Sequence, residues 1–358
     1  MKFWALNLPQ FYETPENNKW WGKGYTEWTS VKKAKPLFKG HKQPLLPLDE
    51  FYYDLSKKEN IDWQAKLAKK YGVECFVYYH YWYEGRHLLE KPCEILLKSP
   101  EIDINYCFCW ANHSWTRAWD GKNHEILVKQ TYGDEQEWEK HFQYLKPFFE
   151  DKRYARIENC PVLFIYKAND ITNGDERIGY WNRRIKEEGI AESLYIVEYI
   201  STFNPRPALA SSKAVYEDEP NYSCRFEINI LEKFKRVFCK KMKITDYQDY
   251  DRLWNLILKK KATYDGRKII LGGFPAWDNS PRKGKNSRVI RNTSPEKFYK
   301  YLIKIGKLKR DDSLDILLLN AWNEWGEGAI LEPTEEYGYD YLKAVLKAKE
   351  GLRDEQEN

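Results

Sequence analysis

The segment LLLNAWNEWGEGAILEP, residues 317 to 333, decides the fold class of this 358-residue chain. Four apolar residues, Ile316 to Leu319, have the composition of a buried strand and lead directly into a polar and aromatic cluster. A buried strand that ends in amides, indoles and carboxylates is how an α/β barrel presents functional groups at the C-terminal mouth of its strands. The cluster consists of Asn320, Trp322, Asn323, Glu324, Trp325 and Glu327.

Short apolar runs recur along the rest of the chain and alternate with helix-like segments, a pattern typical of a parallel α/β fold. Eight runs predict a closed (β/α)8 TIM barrel. Because no linker, repeat or low-complexity tract interrupts the chain, we expect one catalytic barrel domain over residues 1–358. The predicted strands cover about residues 3–8, 74–79, 104–109, 161–166, 194–198, 213–217, 268–274 and 315–319.

Helix caps and apolar periodicity predict the connections between these strands. Asn60 opens a helix that Gly72 can close, and Ser294 caps a helix with Pro295 at its first position. The Pro-, Gly- and Trp-rich residues 9–58 are expected to form a lid or side wall of a site. Residues 218–245 show no assignable pattern. The other predicted helices are 91–98, 134–150, 176–188, 246–261, 295–307 and 337–349.

Charge and aromatic content restrict the class of ligand. The chain has 59 basic and 54 acidic residues, a net charge of +5, and no block of like charge that would indicate a nucleic-acid or membrane surface. Fifteen Trp and 27 Tyr exceed what packing a core needs, so many are expected to line a surface or cleft. Aromatic faces with interleaved carboxylates and amides suit sugars or single-stranded nucleic acid, and the charge balance favours sugars.

The cysteines and the first residues bear on compartment and cofactors. Seven cysteines, without a CxxC pair or a suitable His spacing, indicate reduced, mostly buried thiols and no zinc site. The strand-like Phe3 to Leu8 follows Met1 almost at once, without a signal-peptide pattern. We therefore expect a cytoplasmic protein without a transmembrane segment, a metal or a cofactor; the sequence does not predict its oligomeric state.

Each predicted strand is followed by polar or aromatic residues, and these are the candidate substrate-binding groups. Because the C-terminal ends of barrel strands share one face, we expect them to surround a common cleft. The candidates are Asn7, Gln10, Tyr79, His80, Trp82, Trp110, Asn112, Trp115, Tyr166, Trp277, Asp278, Asn320 and Trp322, with Tyr81, His113, Glu198, Glu217 and Arg282 at equivalent positions.

Glu324 and Glu327 are the candidate catalytic pair. Two neighbouring, partly desolvated carboxylates have pKa values that are pushed apart, so one can donate a proton while the other is ionised, as glycosidic bond cleavage requires. The alternative is that one of them only forms a salt bridge with Arg117 or Arg282.

Other candidates also have structural alternatives. His80 is either an acid or base or a neutral hydrogen-bonding wall residue, and Asp278 either accepts a substrate hydroxyl or forms a turn in WDNSP. Asp120 in WDG is predicted to be a turn residue. For Trp20, Trp21 and Trp28, packing in the core or lid is favoured over a role as sugar-stacking platforms.

Six segments together resemble the WbsX-type glycosyltransferase family, whose domain is similar to glycoside hydrolase family 99, a family of retaining endo-acting mannan-cleaving enzymes. They are NLPQFYETPENNKWWGKGYTEWTSVKKAKPLFKGHKQP, FVYYHYW, CWANHSWTRAWDG, RYARIENCPVLFIY, FPAWDNSPRKG and NAWNEWGEGAILEP, in order over nearly the whole chain. The resemblance implies a (β/α)8 barrel.

The resemblance also implies roles for the two glutamates. Glu324 would act as a base on the sugar 2-hydroxyl, giving a 1,2-anhydro intermediate, and Glu327 would protonate the leaving oxygen and later activate water. The third-strand motif of the family more often reads CWANENW, and this chain has His113 in place of the acidic residue. That change puts the sugar or linkage preference in doubt.

Three functions follow as hypotheses. The first is a retaining glycoside hydrolase or transglycosidase that acts on a mannose-like oligosaccharide or polysaccharide. The second is a glycosyltransferase of surface polysaccharide biosynthesis with an activated sugar donor, which the absence of a glycine-rich phosphate cradle and of an Asp-x-Asp metal motif after a predicted strand disfavours. The third is a glycan-binding barrel without catalytic activity.

Overall fold

Eight parallel strands form a closed barrel in the computed structural model, which describes residues 1–117, 122–308 and 310–357. Each strand hydrogen-bonds to two neighbours, and the first closes the sheet by pairing with both the second and the eighth. The predicted TIM barrel is confirmed. In chain order the barrel strands are Lys2–Asn7, Val73–Tyr83, Asn105–Trp110, Cys160–Ile165, Tyr195–Ile200, Ala214–Glu217, Lys268–Gly273 and Ser313–Leu319.

The register at the closure brings the two ends of the chain together. Trp4 of the first strand lies beside Leu318 of the eighth and beside Cys75 of the second. Strands one and eight are apolar on both faces because one face packs inside the barrel and the other packs against helices. The loop after strand eight therefore lies beside the loop after strand one.

Helices cover the barrel, and most of the predicted helices are present within a few residues. The segment predicted as one helix at 246–261 instead begins with a short strand, Asp246–Asp249, which pairs with Arg288–Arg291. The helices are Pro15–Trp21, Glu27–Lys33, Lys58–Lys70, Lys91–Lys98, Glu135–Glu150, Gly174–Glu187, Asn221–Phe226, Ile230–Met242, Tyr250–Lys259, Ser280–Lys283, Pro295–Gly306 and Asp340–Glu357.

One region without a sequence assignment is now placed. The unassigned residues 218–245 contain the helices Asn221–Phe226 and Ile230–Met242. Asp120, predicted as a turn residue, lies outside the described residues. Among the helices of the described chain, none is long and apolar enough to cross a membrane.

The connection at residues 9–58 packs against the barrel mouth as a side wall. Trp28 is buried, donates from Nε1 to the carbonyl of Tyr53 at 2.9 Å and lies 5.2 Å from the ring of Trp325. The helix at Pro15–Trp21 begins at Thr14, whose hydroxyl accepts from the Asn17 amide. This segment thus contributes part of the wall around the strand ends.

Many of the aromatic residues are in the core, although many of them were expected from the sequence to line a surface or cleft. Trp110, Trp181, Trp254, Trp322 and Trp325 are all fully buried. Trp21, Trp115 and Trp277 instead line a cavity. All seven cysteines are buried and unpaired, as predicted. The excess of aromatic residues therefore serves both packing and cavity lining.

Candidate active site at the barrel mouth

A cavity of about 1080 Å³ lies at the C-terminal ends of the strands. Its size matches the upper range of pockets that hold small ligands. Residues that directly follow several strands reach it, including Leu8, Asn112, Ser201 and Asp218. The predicted site residues on its wall are Gln10, Tyr79, Asn112, Trp115, Tyr166, Trp277, Asn320, Glu324 and Glu327.

Arg282 is the electrostatic centre of this cavity. Its guanidinium lies 2.8 Å from Glu324, 3.0 Å from Glu327 and 2.7 Å from Glu27. A salt bridge with Arg282 was the sequence-based alternative to a catalytic role, and this salt bridge is present. Arg282 pairs with both glutamates on the cavity wall. Arg117 pairs instead with Glu125 at 3.5 Å.

Two glycines explain the local sequence EWGEG. A Cβ atom at Gly326 would clash with Glu27 Oε1 and Arg282 Nε, so the ion cluster requires glycine at this position. Gly328 has φ +60°, in the left-handed region that glycine adopts at low cost. The Asp278 amide donates to the Glu327 carbonyl at 2.7 Å, which joins the seventh and eighth strand loops.

We expect Gly326→Ala to disrupt the site. The added methyl group must displace the Arg282 and Glu27 side chains, and such overpacking costs about 1–3 kcal/mol. Denaturant unfolding should show that loss, with kcat reduced on any glycan that is turned over. As a control, Gly179→Ala adds a methyl group inside the helix Gly174–Glu187, where no atom lies within 4 Å, and should leave kcat unchanged while it raises the free energy of unfolding by about 0.5–1 kcal/mol. Equal stability of the two variants would contradict the close approach.

Burial sets the protonation of the acidic groups. Desolvation raises the pKa of Glu324 to about 8, while Arg282 opposes the shift and Glu327 adds to it. Burial also raises the pKa of Asp218 to about 7. The site therefore contains a carboxyl group, Glu324, that is mostly protonated in the free protein at neutral pH.

Four tyrosines on or directly after strands two, four and five line the same cavity: Tyr79, Tyr81, Tyr166 and Tyr199. Burial raises the pKa of each phenol, and the negative charge of Glu324 adds to the shift for Tyr79 and Tyr81. Neutral phenols both donate and accept hydrogen bonds. This wall can therefore bind sugar hydroxyls.

Two functional candidates escaped the sequence analysis. Asp218 follows strand six and accepts hydrogen bonds from Tyr199 at 3.0 Å and Asn320 at 3.2 Å. The analysis named its neighbour Glu217, which instead pairs with buried Lys260 away from the cavity. Glu27 is fully buried and was overlooked because its partner Arg282 is 255 positions away along the chain. Its position within the Trp-rich residues 9–58 was the available signal.

The candidate residues on the second strand point to two opposite sides, because successive side chains along a strand alternate. Tyr79 and Tyr81 point to the cavity, whereas His80 and Trp82 point to the helix Glu135–Glu150. His80 Nε2 lies 2.8 Å from His141 Nε2, and burial lowers the His80 pKa to about 3, so the ring is neutral. His80 and Trp82 do not line the cavity.

Four further candidates are also placed off the cavity wall. Trp110 is fully buried beneath the Arg177 guanidinium, 4.7 Å from its ring. Asn7 hydrogen-bonds to Gln64 and Asn323 inside the barrel end. The ring of Trp322 packs 5.0 Å from that of Phe76. Asp278 is the fourth. For the first three, packing and amide hydrogen bonds explain the residue type.

Asp278 takes the turn role and a second structural one. It accepts from the Ser280 amide at 2.9 Å, which is an Asx turn, and from His41 and Gln43, both at 2.7 Å. It lines a separate cavity of about 450 Å³ rather than the one at the barrel mouth. Asp278 thus attaches the 9–58 wall to the loop after strand seven.

A sequence model described as Glycosyltransferase WbsX matches residues 3–345. The chain belongs to this WbsX family. It is also 31% identical over 350 residues to "Uncharacterized protein WxcX" from two strains of Xanthomonas campestris pv. campestris, a match over 96% of this chain. The WbsX-family chain spans about half the length of these curated relatives, 49%.

Solved structures share the fold of this WbsX-family chain. A "glycoside hydrolase-like protein" aligns with a TM-score of 0.63 at 14% identity, over 97% of this chain and 93% of the other. A GH99 endo-alpha-mannosidase from Bacteroides thetaiotaomicron aligns with a TM-score of 0.52 at 13% identity, over 99% and 98%. At these identities the similarity concerns the barrel itself.

His113 is the residue that, by the resemblance given in the sequence analysis, stands in place of an acidic residue of the third-strand motif. It lines the cavity beside Tyr166, with ring centroids 5.4 Å apart. Burial, with the nearby charge of Lys167, lowers its pKa to about 4, so the imidazole is neutral. Its Nδ1 is buried and has no hydrogen-bond partner among the described residues. A neutral imidazole thus occupies a wall position where the motif has a carboxylate.

Proposed function

We propose that this chain is a metal-independent retaining glycoside hydrolase or transglycosidase that acts on a mannose-like oligosaccharide or polysaccharide, with residues 1–358 as one catalytic domain. The observation that carries the proposal is the pair of wall carboxylates, Glu324 and Glu327, held by one guanidinium of Arg282. The tyrosine hydroxyls and the indoles of Trp115 and Trp277 supply the polar and aromatic surfaces that sugars require.

The proposed reaction has two steps. In the first, Glu324 takes the proton of the sugar 2-hydroxyl while O2 attacks C1, and Glu327 donates its proton to the departing glycosidic oxygen. In the second, Glu327 takes a proton from water, which attacks C1 and opens the 1,2-anhydro ring, and O2 regains its proton from Glu324. Two inversions at C1 give net retention, without a carboxylate nucleophile.

The test of this reaction is the anomeric form of the first product. Incubation with α-linked mannosides and short bacterial polysaccharides, followed by proton NMR, should show an α-anomer released first from an α-linked substrate. A β-anomer as the first product would overturn the two-step scheme. Cleavage that required added metal would overturn metal independence.

The raised pKa of Glu324 predicts a pH profile. Glu324 must be ionised to accept the 2-hydroxyl proton, so below its pKa the free enzyme contains the inactive, protonated form. With a pKa of about 8, kcat/KM on a glycosyl fluoride, whose leaving group does not need the proton of Glu327, should fall about tenfold for each pH unit below this value, which a pH series at low substrate concentration measures. A profile that is flat between pH 6 and 8 would contradict the assignment of Glu324 as the base.

A second candidate is a transferase that uses an activated sugar donor, as the description of the family suggests. Cationic residues support it, because Lys167, Lys240, Lys283 and Arg288 line the cavity and could bind a diphosphate. Calorimetric titration with a panel of sugar nucleotides distinguishes the two candidates. Affinity that depends on the diphosphate would favour the transferase.

A further inference from the structure

The helix Ile230–Met242 packs on the protein in an unusual orientation. Six apolar residues recur at helical spacing on one face and are between 55% and 75% exposed. Of the eleven large apolar side chains exposed in the described part of the chain, seven lie between positions 230 and 244. The six on the helix are Ile230, Leu231, Phe234, Val237, Phe238 and Met242.

The opposite face of this helix attaches it to the domain. Cys239 is buried, and Arg236 donates to the Cys224 carbonyl at 2.7 Å. Glu232 accepts from the Asn229 amide in a capping box and pairs with Arg252. The apolar face therefore points into solvent because the polar face is the one that packs, which is the reverse of an ordinary surface helix.

Exposed lysines surround the apolar face. At 100° per residue, Lys233 and Lys240 lie along one edge, Lys235 along the other, and Lys241 within the face, and Lys243 follows the helix. The only acidic residue of the helix, Glu232, is on the packed side with Arg252. An apolar face bordered by cations is the pattern of a helix that lies in the interface of an anionic membrane.

We propose that this helix docks the protein on an anionic lipid surface. Leu231, Phe234 and Phe238 would enter the acyl boundary while the lysines contact the headgroups. A second copy of the chain fits less well, because face-to-face packing would bring the lysine edges of the two helices together, and like charges across an interface repel.

The docked orientation would place the cavity at the membrane. Arg236, Cys239, Lys240 and Ile244, on or next to the helix, also line the cavity, so its rim and the apolar face share one element. A glycan carried at a lipid surface could then reach the cavity without leaving that surface. The docking proposal uses only the exterior of the helix, so its failure would leave the proposed glycosidase reaction untouched.

Vesicle cosedimentation of the full chain tests the proposal. The protein should pellet with vesicles of phosphatidylcholine mixed with phosphatidylglycerol, and much less with phosphatidylcholine alone or in high salt. Reversal of three cationic charges by Lys233→Glu, Lys241→Glu and Lys243→Glu should lower the partition coefficient about 100-fold or more. The triple variant Leu231→Ser, Phe234→Ser and Phe238→Ser should lose binding to a similar extent.

Control variants distinguish docking by this helix from a general effect of net charge and from misfolding. Lys2→Glu, Lys69→Glu and Lys98→Glu make the same charge change at the N-terminal ends of the strands and should leave most binding intact, apart from a smaller non-specific loss. Because all altered side chains are exposed, thermal unfolding should be nearly unchanged. Wild-type protein that stays in the supernatant with anionic vesicles would overturn the proposal. So would a stable dimer that the serine variant converts to monomer.

Discussion

Glu327→Gln is expected to lower kcat/KM on a cleaved glycan by about 10²-fold or more, because the amide cannot protonate the leaving oxygen. Glu324→Gln should cause a loss of the same order, because the amide cannot accept the 2-hydroxyl proton. Both substitutions keep the side-chain shape, so glycan affinity should change little. Steady-state kinetics and calorimetric binding measure the two quantities separately.

The leaving group distinguishes the two roles. A glycosyl fluoride needs little protonation to depart, so kcat/KM for fluoride release, which reports only the first step, should be much closer to wild type for Glu327→Gln, whereas it should stay low for Glu324→Gln. Glu335→Gln is the control, since this exposed carboxylate outside the cavity binds the Asp49 amide and should leave turnover unchanged. Near wild-type turnover by either cavity variant would show that its role is wrong.

A third outcome would point to a binding protein. If the wild type turns over no glycan and both glutamine variants bind glycan as tightly as it does, the barrel is a glycan-binding module. The two carboxylates would then act only as partners of Arg282.

The second large effect is expected from Arg282→Met. In the described chain, Arg282 is the cation within ion-pair distance of Glu27, Glu324 and Glu327, and leaving buried charges unpaired costs about 3–5 kcal/mol. Chemical denaturation at neutral to alkaline pH should show this decrease in the free energy of unfolding. Activity should fall as well, since the carboxylates lose their common anchor.

The pH dependence of this loss has a defined sign. A carboxyl group whose pKa is higher in the folded state than in the unfolded state makes its full contribution to the free energy of unfolding when the pH is below the unfolded-state pKa. That contribution is lost as the pH rises through the folded-state pKa. Burial raises the Glu324 pKa even beside Arg282, and removal of the guanidinium can only raise it further. The difference between wild type and Arg282→Met should therefore be largest at alkaline pH and shrink towards pH 4.

A matched surface pair provides the control. Arg86 is half exposed and pairs with Glu16 at 3.0 Å, so Arg86→Met should cost no more than about 1 kcal/mol at any pH. If Arg282→Met cost as little as this variant, the cluster would not contribute to folding.

The strand order and the glutamate pair could be predicted because their signals are local. Each barrel strand is a short apolar run, and Glu324 and Glu327 directly follow one of them, so a window of a few residues carries the information. The contents of residues 218–245 were not predicted. The helix Ile230–Met242 has clear apolar spacing, but its apolar face is turned to solvent, contrary to the usual expectation.

The sequence by itself determined the barrel, its strand order and the position of the two carboxylates at a strand end. Only the tertiary structure decided which neighbouring side chains share the cavity with them. Tyr79 and His80 are adjacent in the chain, yet the strand's two-residue alternation sends one to the cavity and the other to the helix layer. Glu27 and Arg282 meet only because barrel closure brings distant loops into contact. Such pairings depend on contacts between residues far apart in the chain, which local patterns do not encode.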